Sequence, residues 1–203
     1  MKALLLIVSL ILPLKLYSQN IDISLLRSLN SPEGMAADGF CRFISGSEVF
    51  IVTGIPVSVA AAGLIKNDKD MFRDACVVAA ASAVTFGIST ALKYTINRER
   101  PFEKYPDISQ KMDVISPSFP SGHTSAAFST ATSLSLTYPK WYIIAPSYVW
   151  AAAVGYSRME LGVHYPSDVL AGAAIGAGTA ILSYKINRKL NEKRKYKPCN
   201  CPD

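Results

Sequence analysis

Only two histidines occur in this chain of 203 residues, and each sits among side chains suited to holding a phosphate. His123 closes the run Pro120, Ser121, Gly122. His164 comes six residues after Arg158 and four before Asp168. Upstream, Lys93 is followed by Arg100 and Pro101. Phosphoryl transfer needs positive or N–H donors for the phosphate oxygens, a nucleophile, and an acid for the leaving oxygen. Lys93 and Arg100 lie two helical turns apart, on one face but roughly 10 Å apart along an ideal axis. Pro101 disfavours helix at Arg100, so the chain is expected to turn there and bring the guanidinium back. Arg158 offers a planar fork for two oxygens. Ser121 suits a helix N-cap, Gly122 leaves room for close approach, and the free N–H groups of such an end attract an anion. A histidine at that place can hand a proton to a leaving oxygen. Asp168 can accept from one imidazole nitrogen of His164 and turn the other toward phosphorus. Taken singly, each feature has an ordinary structural counterpart: an interfacial cation, a capped helix, a structural histidine beside a helix-start acid. Their joint occurrence points to a phosphate site.

The three blocks Lys-x6-Arg-Pro, Pro-Ser-Gly-His and Ser-Arg-x5-His-x3-Asp occur in that order between Lys93 and Asp168. In this they resemble the type 2 phosphatidic acid phosphatase family, which shares its site with vanadium haloperoxidases. The resemblance implies a metal-independent phosphatase without a cofactor. It implies His164 as a nucleophile forming a phosphohistidine, supported by Asp168. It implies His123 as general acid and then as the base that activates water. Lys93, Arg100, Ser121, Gly122 and Arg158 are implied as the phosphate cradle. Fitting substrates are lipid phosphates or pyrophosphates such as undecaprenyl diphosphate, phosphatidic acid, phosphatidylglycerol phosphate or lipid A phosphate.

The elements that must position these residues read as helices. The chain is 50% hydrophobic and 18% charged, with a net charge of +6 and a mean hydropathy of +0.22. Residues 1–18 read as a signal sequence, with Lys2, an apolar run from Ala3 to Leu12, Pro13, and cleavage after Ser18; an uncleaved first helix is the other reading. Residues 19–203 are expected to form one domain, with a core at about 48–186 and a basic tail at 187–203. The tail is better matched to an anionic membrane surface than to nucleic acid. Residues 21–30 have apolar positions at helical spacing and are expected on the membrane surface or against the bundle.

Apolar stretches at Val49–Ile65, Ala75–Leu92, Trp141–Ser157 and Val169–Tyr184, with a Ser/Thr-rich helix from about His123 to Tyr138, predict an all-α bundle of five transmembrane helices. With residue 19 exported, eleven Lys/Arg fall on the cytoplasmic side against five on the other outside the motifs, as positive-inside bias requires. All three motifs then share the exported, periplasmic face of a bacterial-type inner membrane. Cys41 and Cys76 stand alone, the latter in an apolar run that suggests burial. Cys199 and Cys201 are too few for a metal site. The competing readings are a soluble periplasmic acid phosphatase, a vanadate haloperoxidase, and a lipid-binding scaffold with a dead site.

Overall fold

The computed structural model describes residues 21–31 and 36–195. The expected signal sequence, most of the turn at residues 31–34, Cys199, Cys201 and the end of the basic tail lie outside them. Residues 21–29 are helical (α1). Then come α2 (Ala36–Ile65), α3 (Lys69–Ile96), the single turn α4 (Pro101–Lys104), α5 (Gly122–Thr137), α6 (Trp141–Glu160) and α7 (Pro166–Lys195). The described residues contain no strand, so the chain is an all-α bundle.

Helix α5 is the hub and packs against α2, α3, α6 and α7. Half of its residues are Ser or Thr, yet Thr124, Ser125, Ser129, Thr130, Thr132 and Ser133 are buried. Such a helix is tolerated inside because its hydroxyls find partners. Ser125 donates to the Ser121 carbonyl at 2.8 Å. Thr85 of α3 donates to Ser129 of α5 at 3.0 Å and lies 2.5 Å from Thr179 of α7. Small residues let the backbones close in, as expected for helices packed in lipid. A Cβ on Gly172 of α7 would lie 2.7 Å from the Ser121 carbonyl oxygen of α5.

Three helical stretches are long and apolar enough to cross a membrane: Ala37–Ile65, Lys69–Lys104 and Pro166–Glu192. Their outer surface is apolar, with Phe43, Phe50, Val57, Phe86 and Leu182 all exposed. That is the pattern of a surface facing lipid, and the chain is a membrane protein. The two other expected spans do not qualify on their own composition. Helix α5 has 16 residues and is lined by protein on all sides, so its polarity is not opposed by lipid. Helix α6 ends in the buried pair Arg158 and Glu160.

Helix bounds also differ from those read from apolar runs. Helix α2 begins thirteen residues before Val49. Its early turns carry Asp38, Ser45 and Glu48, all buried toward the protein interior. Hydropathy is blind to a polar face that turns inward. Cys76 is exposed and Cys41 is buried, the reverse of what the apolar surroundings of Cys76 suggest; in lipid an apolar run needs no burial within the protein.

Helix α1 packs on the bundle. Its Ile23 and Leu26 form a buried cluster with Ile108 and Tyr165, and Arg27 pairs with Asp107 at 2.6 Å. Together α1 and the 105–121 loop cover one end of the bundle, where α3, α6 and the start of α5 and α7 meet.

Candidate active site

All eight residues singled out by the sequence lie at this covered end. Helix α3 stops at Ile96, and Asn97 takes a left-handed conformation (φ 48°) that bends the chain away. Arg100 is extended (φ −78°, ψ 157°), as the following proline requires, and Pro101 opens α4. The turn carries Arg100 back into the interior, where its guanidinium is held by backbone: Nε donates to Ser116 O at 2.7 Å and Nη1 to Val163 O at 2.6 Å. Lys93, one turn before the end of α3, donates to Pro117 O at 2.6 Å. Its Cε lies 3.8 Å from the place a Cβ on Gly122 would take. Lys93 therefore reaches the N-terminus of α5, and the glycine leaves the space between them open.

Arg158 closes the other side from α6. It is 1% exposed, donates through Nη1 to Ser45 Oγ at 2.5 Å and to Met112 Sδ at 3.2 Å, and its Nε is buried without a hydrogen-bond partner. A buried guanidinium with a spare N–H is a costly arrangement unless something anionic completes it.

Ser121 occupies the N-cap position of α5, but its side chain does not cap. Its Oγ lies 2.8 Å from Thr124 Oγ1 instead, and its N–H donates to Asp168 O at 3.1 Å. The first N–H groups of α5 keep their anion-attracting character. His123, in the first turn, has a side chain 34% exposed, against 10% for Glu48 beside it. Arg158, Lys93 and Arg100 all lie close enough to act on it electrostatically.

His164 sits in the short α6–α7 connection and is 2% exposed. Burial, with Arg158 and Arg100 adding to it and Asp168 opposing, pushes its imidazole down to about 3, so it is neutral at ordinary pH. Its Nδ1 lies 3.7 Å from Asp168 Oδ2 and makes no hydrogen bond. Pro166 opens α7, as its fixed φ favours. Asp168, fully buried, is held by three donors: Arg98 on Oδ1 at 2.5 Å, and Ser118 Oγ at 2.5 Å and the Tyr165 N–H at 3.1 Å on Oδ2.

Several members of the site are not among the eight residues that the motifs single out. Glu48 of α2 is 8% exposed, with a carboxylate oxygen 3.9 Å from His123 Nε2, and acts electrostatically on Arg158. Its signal was available, since it is an acid directly preceding an apolar run, where charge is costly. Arg98 lies inside the first motif at an unassigned place. Asp22 of α1 carries no local signal at all. A second buried cluster stands behind Arg158: Lys111 Nζ pairs with Asp38 at 2.7 Å and Glu160 at 2.9 Å, and these hydrogen bonds hold the Lys111 ammonium up against the opposing effect of burial.

The arrangement offers a cationic cradle, a neutral imidazole backed by a carboxylate, and a second imidazole at the opening. The model of a family described as the PAP2 superfamily matches residues 74–192. The lipid A 4'-phosphatase of Bacteroides thetaiotaomicron is 27% identical over 186 residues, covering 87% of this chain and 81% of that protein. The undecaprenyl-diphosphatase of Sulfolobus acidocaldarius is 38% identical over 95 residues; the match spans about half of each chain, 46% in both. The crystal structure of Aquifex aeolicus LpxE superposes with a TM-score of 0.69 at 28% identity, over 81% of this chain and 95% of that one.

Proposed function

The chain belongs to the PAP2 superfamily, and from that premise we propose that it is a membrane phosphatase that hydrolyses a lipid phosphate or lipid pyrophosphate through a phosphohistidine. One observation carries the reading. Lys93, Arg100 and Arg158 surround the start of α5 and act on both histidines or lie against Gly122, while Arg158 keeps a buried, unpartnered N–H.

In this reading the phosphate oxygens take the Arg158 Nε–H, the Lys93 ammonium, the Arg100 guanidinium, the Ser121 hydroxyl and the Gly122 N–H. Neutral His164 attacks phosphorus through Nε2. The P–O bond to the lipid breaks, and His123, protonated once the bound phosphate offsets the charges of Arg158, Lys93 and Arg100, gives that proton to the leaving oxygen. The imidazole Nδ1–H of His164 gains positive charge and closes on Asp168 Oδ2; catalytic hydrogen bonds are often long before substrate arrives. His123, now a base, takes a proton from water, which attacks the phosphohistidine and releases inorganic phosphate. Donors aimed at the developing charge in a site shielded from water supply most of the acceleration.

The substrate class is supported by the relatives named as lipid A and undecaprenyl diphosphate phosphatases, and by the exposed apolar flanks that would let a lipid tail stay in the bilayer. The excess of Lys and Arg on the opposite side supports an active face exported to the periplasm. The test is phosphate release from a panel of lipid phosphates and pyrophosphates in detergent, with and without a chelator. Release that needs His164 and survives the chelator is expected. Protein that folds but is inactive on the whole panel, or requires magnesium, refutes the reading.

A further inference from the structure

Behind His164 a line of alternating charge runs out of the site to α1. Asp22 is 5% exposed. Its Oδ1 accepts from the Ser167 N–H at 2.8 Å. Its Oδ2 accepts from Arg98 Nη2 at 2.8 Å and from Ser167 Oγ at 2.5 Å. Arg98 in turn donates through Nη1 to Asp168 Oδ1 at 2.5 Å and to Ser167 Oγ at 2.8 Å. Its guanidinium lies 3.9 Å over the Tyr165 ring. The order is Asp22, Arg98, Asp168, His164. The first of these stands on a helix outside the residues that match the family.

We propose that Asp22 and Arg98 are positioning residues for phosphoryl transfer, with Asp22 acting through Arg98 on Asp168 and so on His164. The inference rests on the phosphohistidine reading. Two physical arguments carry it. The first is orientation. Asp168 has two oxygens, and only Oδ2 faces His164 Nδ1. Arg98 anchors Oδ1 in a charge-assisted bond, which leaves the carboxylate no rotation that would turn Oδ2 away. Arg98 itself has one pose because Asp22 and Ser167 take its other donor positions and the Tyr165 ring covers its face.

The second argument is charge. A lone arginine against Asp168 would cancel most of the carboxylate's field at His164. With Asp22 on its other side the three groups sum to one negative charge, and the carboxylate field is kept for the imidazole that becomes positive on attack. Neither Asp22 nor Arg98 touches the cradle residues, so binding of the phosphate is not at stake. The effect falls on the chemical step, which means on kcat rather than KM.

Helix α1 does not depend on this line for its place. Ile23 and Leu26 are buried beside Ile108, Arg27 holds Asp107 at the surface, and Asn30 just after α1 donates to the Ser109 and Glu160 carbonyls. A loss in Asp22→Asn can therefore be separated from loss of α1 itself.

The experiment measures kcat, KM and thermal unfolding in detergent on whichever lipid phosphate the wild type turns over fastest. Asp22→Asn is expected to lower kcat about 10–100-fold, the range for outer partners of an active group, with KM within about twofold. Arg27→Ala, which loosens α1 at its exposed side, is expected to keep wild-type kcat. The deciding comparison is made in an Asp168→Asn background. There the route to His164 is already cut, so adding Asp22→Asn should cost less than about twofold, whereas independent roles would multiply. Wild-type kcat in Asp22→Asn, or full multiplication in the double variant, overturns the proposal. Should Asp22→Asn fail to fold, Ser167→Ala removes the hydroxyl that donates to Asp22 and accepts from Arg98 and should cost at least about tenfold in kcat, the worth of one hydrogen bond to a charged group; no loss there overturns it as well. A folded wild type inactive on every lipid phosphate removes the phosphatase reading and this inference together, an outcome distinct from an active wild type with an indifferent Asp22.

Discussion

Gly172→Ala should impair catalysis from a position that contributes no chemistry. Gly172 is buried on α7 one turn after Asp168, against the first turn of α5. A Cβ there would meet Ser121 O at 2.7 Å, Ser125 Oγ at 3.1 Å and Thr124 Cβ at 3.3 Å. The nearest of these is a backbone atom at the end that carries Gly122 and His123, so it cannot rotate out of the way. Moving from 2.7 Å to an ordinary 3.4 Å contact takes about 0.7 Å of separation between α7 and α5. That displacement pulls Asp168 and His164 away from Ser121, Gly122 and His123. A misplacement of 1 Å can cost about 100-fold, so a loss in kcat of about 10–50-fold is expected. On stability, overpacking costs about 1–3 kcal/mol while replacing a helical glycine with alanine returns about 1 kcal/mol. The net is a destabilisation of about 0–2 kcal/mol. Gly178→Ala is the matched control: it lies on the same helix, is exposed, and its Cβ would meet nothing within 4 Å. It should keep wild-type activity and gain stability. The assay is lipid phosphate turnover beside thermal unfolding in detergent. Wild-type kcat in Gly172→Ala would refute the claim that the close α5–α7 approach sets the site geometry.

Three further outcomes are expected. His164→Ala should abolish turnover of every substrate and any acid-labile or hydroxylamine-sensitive phosphoenzyme, while His123→Ala should lose about 10²–10⁴-fold on a lipid monophosphate and much less on an activated aryl phosphate; equal losses on both would reject the assigned roles. Because His164 is held at about 3 when folded and titrates near 6.5 when unfolded, both states are neutral above pH 6.5. As pH falls from 6.5 toward 3 only the unfolded chain gains the proton, and stability is lost at up to about 1.4 kcal/mol per pH unit. His164→Asn should flatten the unfolding free energy in that window by about one proton; an unchanged slope would contradict the buried neutral imidazole. Lys111→Met should destabilise by about 3–5 kcal/mol, since it leaves the buried Asp38 and Glu160 carboxylates without their shared cation, and unfolding in detergent would read this directly.

The amino-acid order by itself determined the all-α class, picked out the eight candidate residues brought together at one end of the bundle, and marked Ser121 as a helix start. These are legible because they depend on residue type at short spacing: a proline that forbids helix before it, a small residue at a helix start, a histidine four residues from an acid. Helix length was less legible. Helix α2 begins at Ala36 because Asp38, Ser45 and Glu48 face inward, and an apolar window cannot report which way a polar side chain turns. The tertiary structure alone decided that Asp22 reaches Asp168 through Arg98, that Lys111 joins Asp38 to Glu160, and that Glu48 stands beside His123. Those contacts join residues 146, 122 and 75 positions apart at their ends. Nothing in the local pattern distinguishes a charge destined for such a partner from one left in water. The difference arises only when burial removes water and makes an unpaired charge cost more than ordering the chain around its partner.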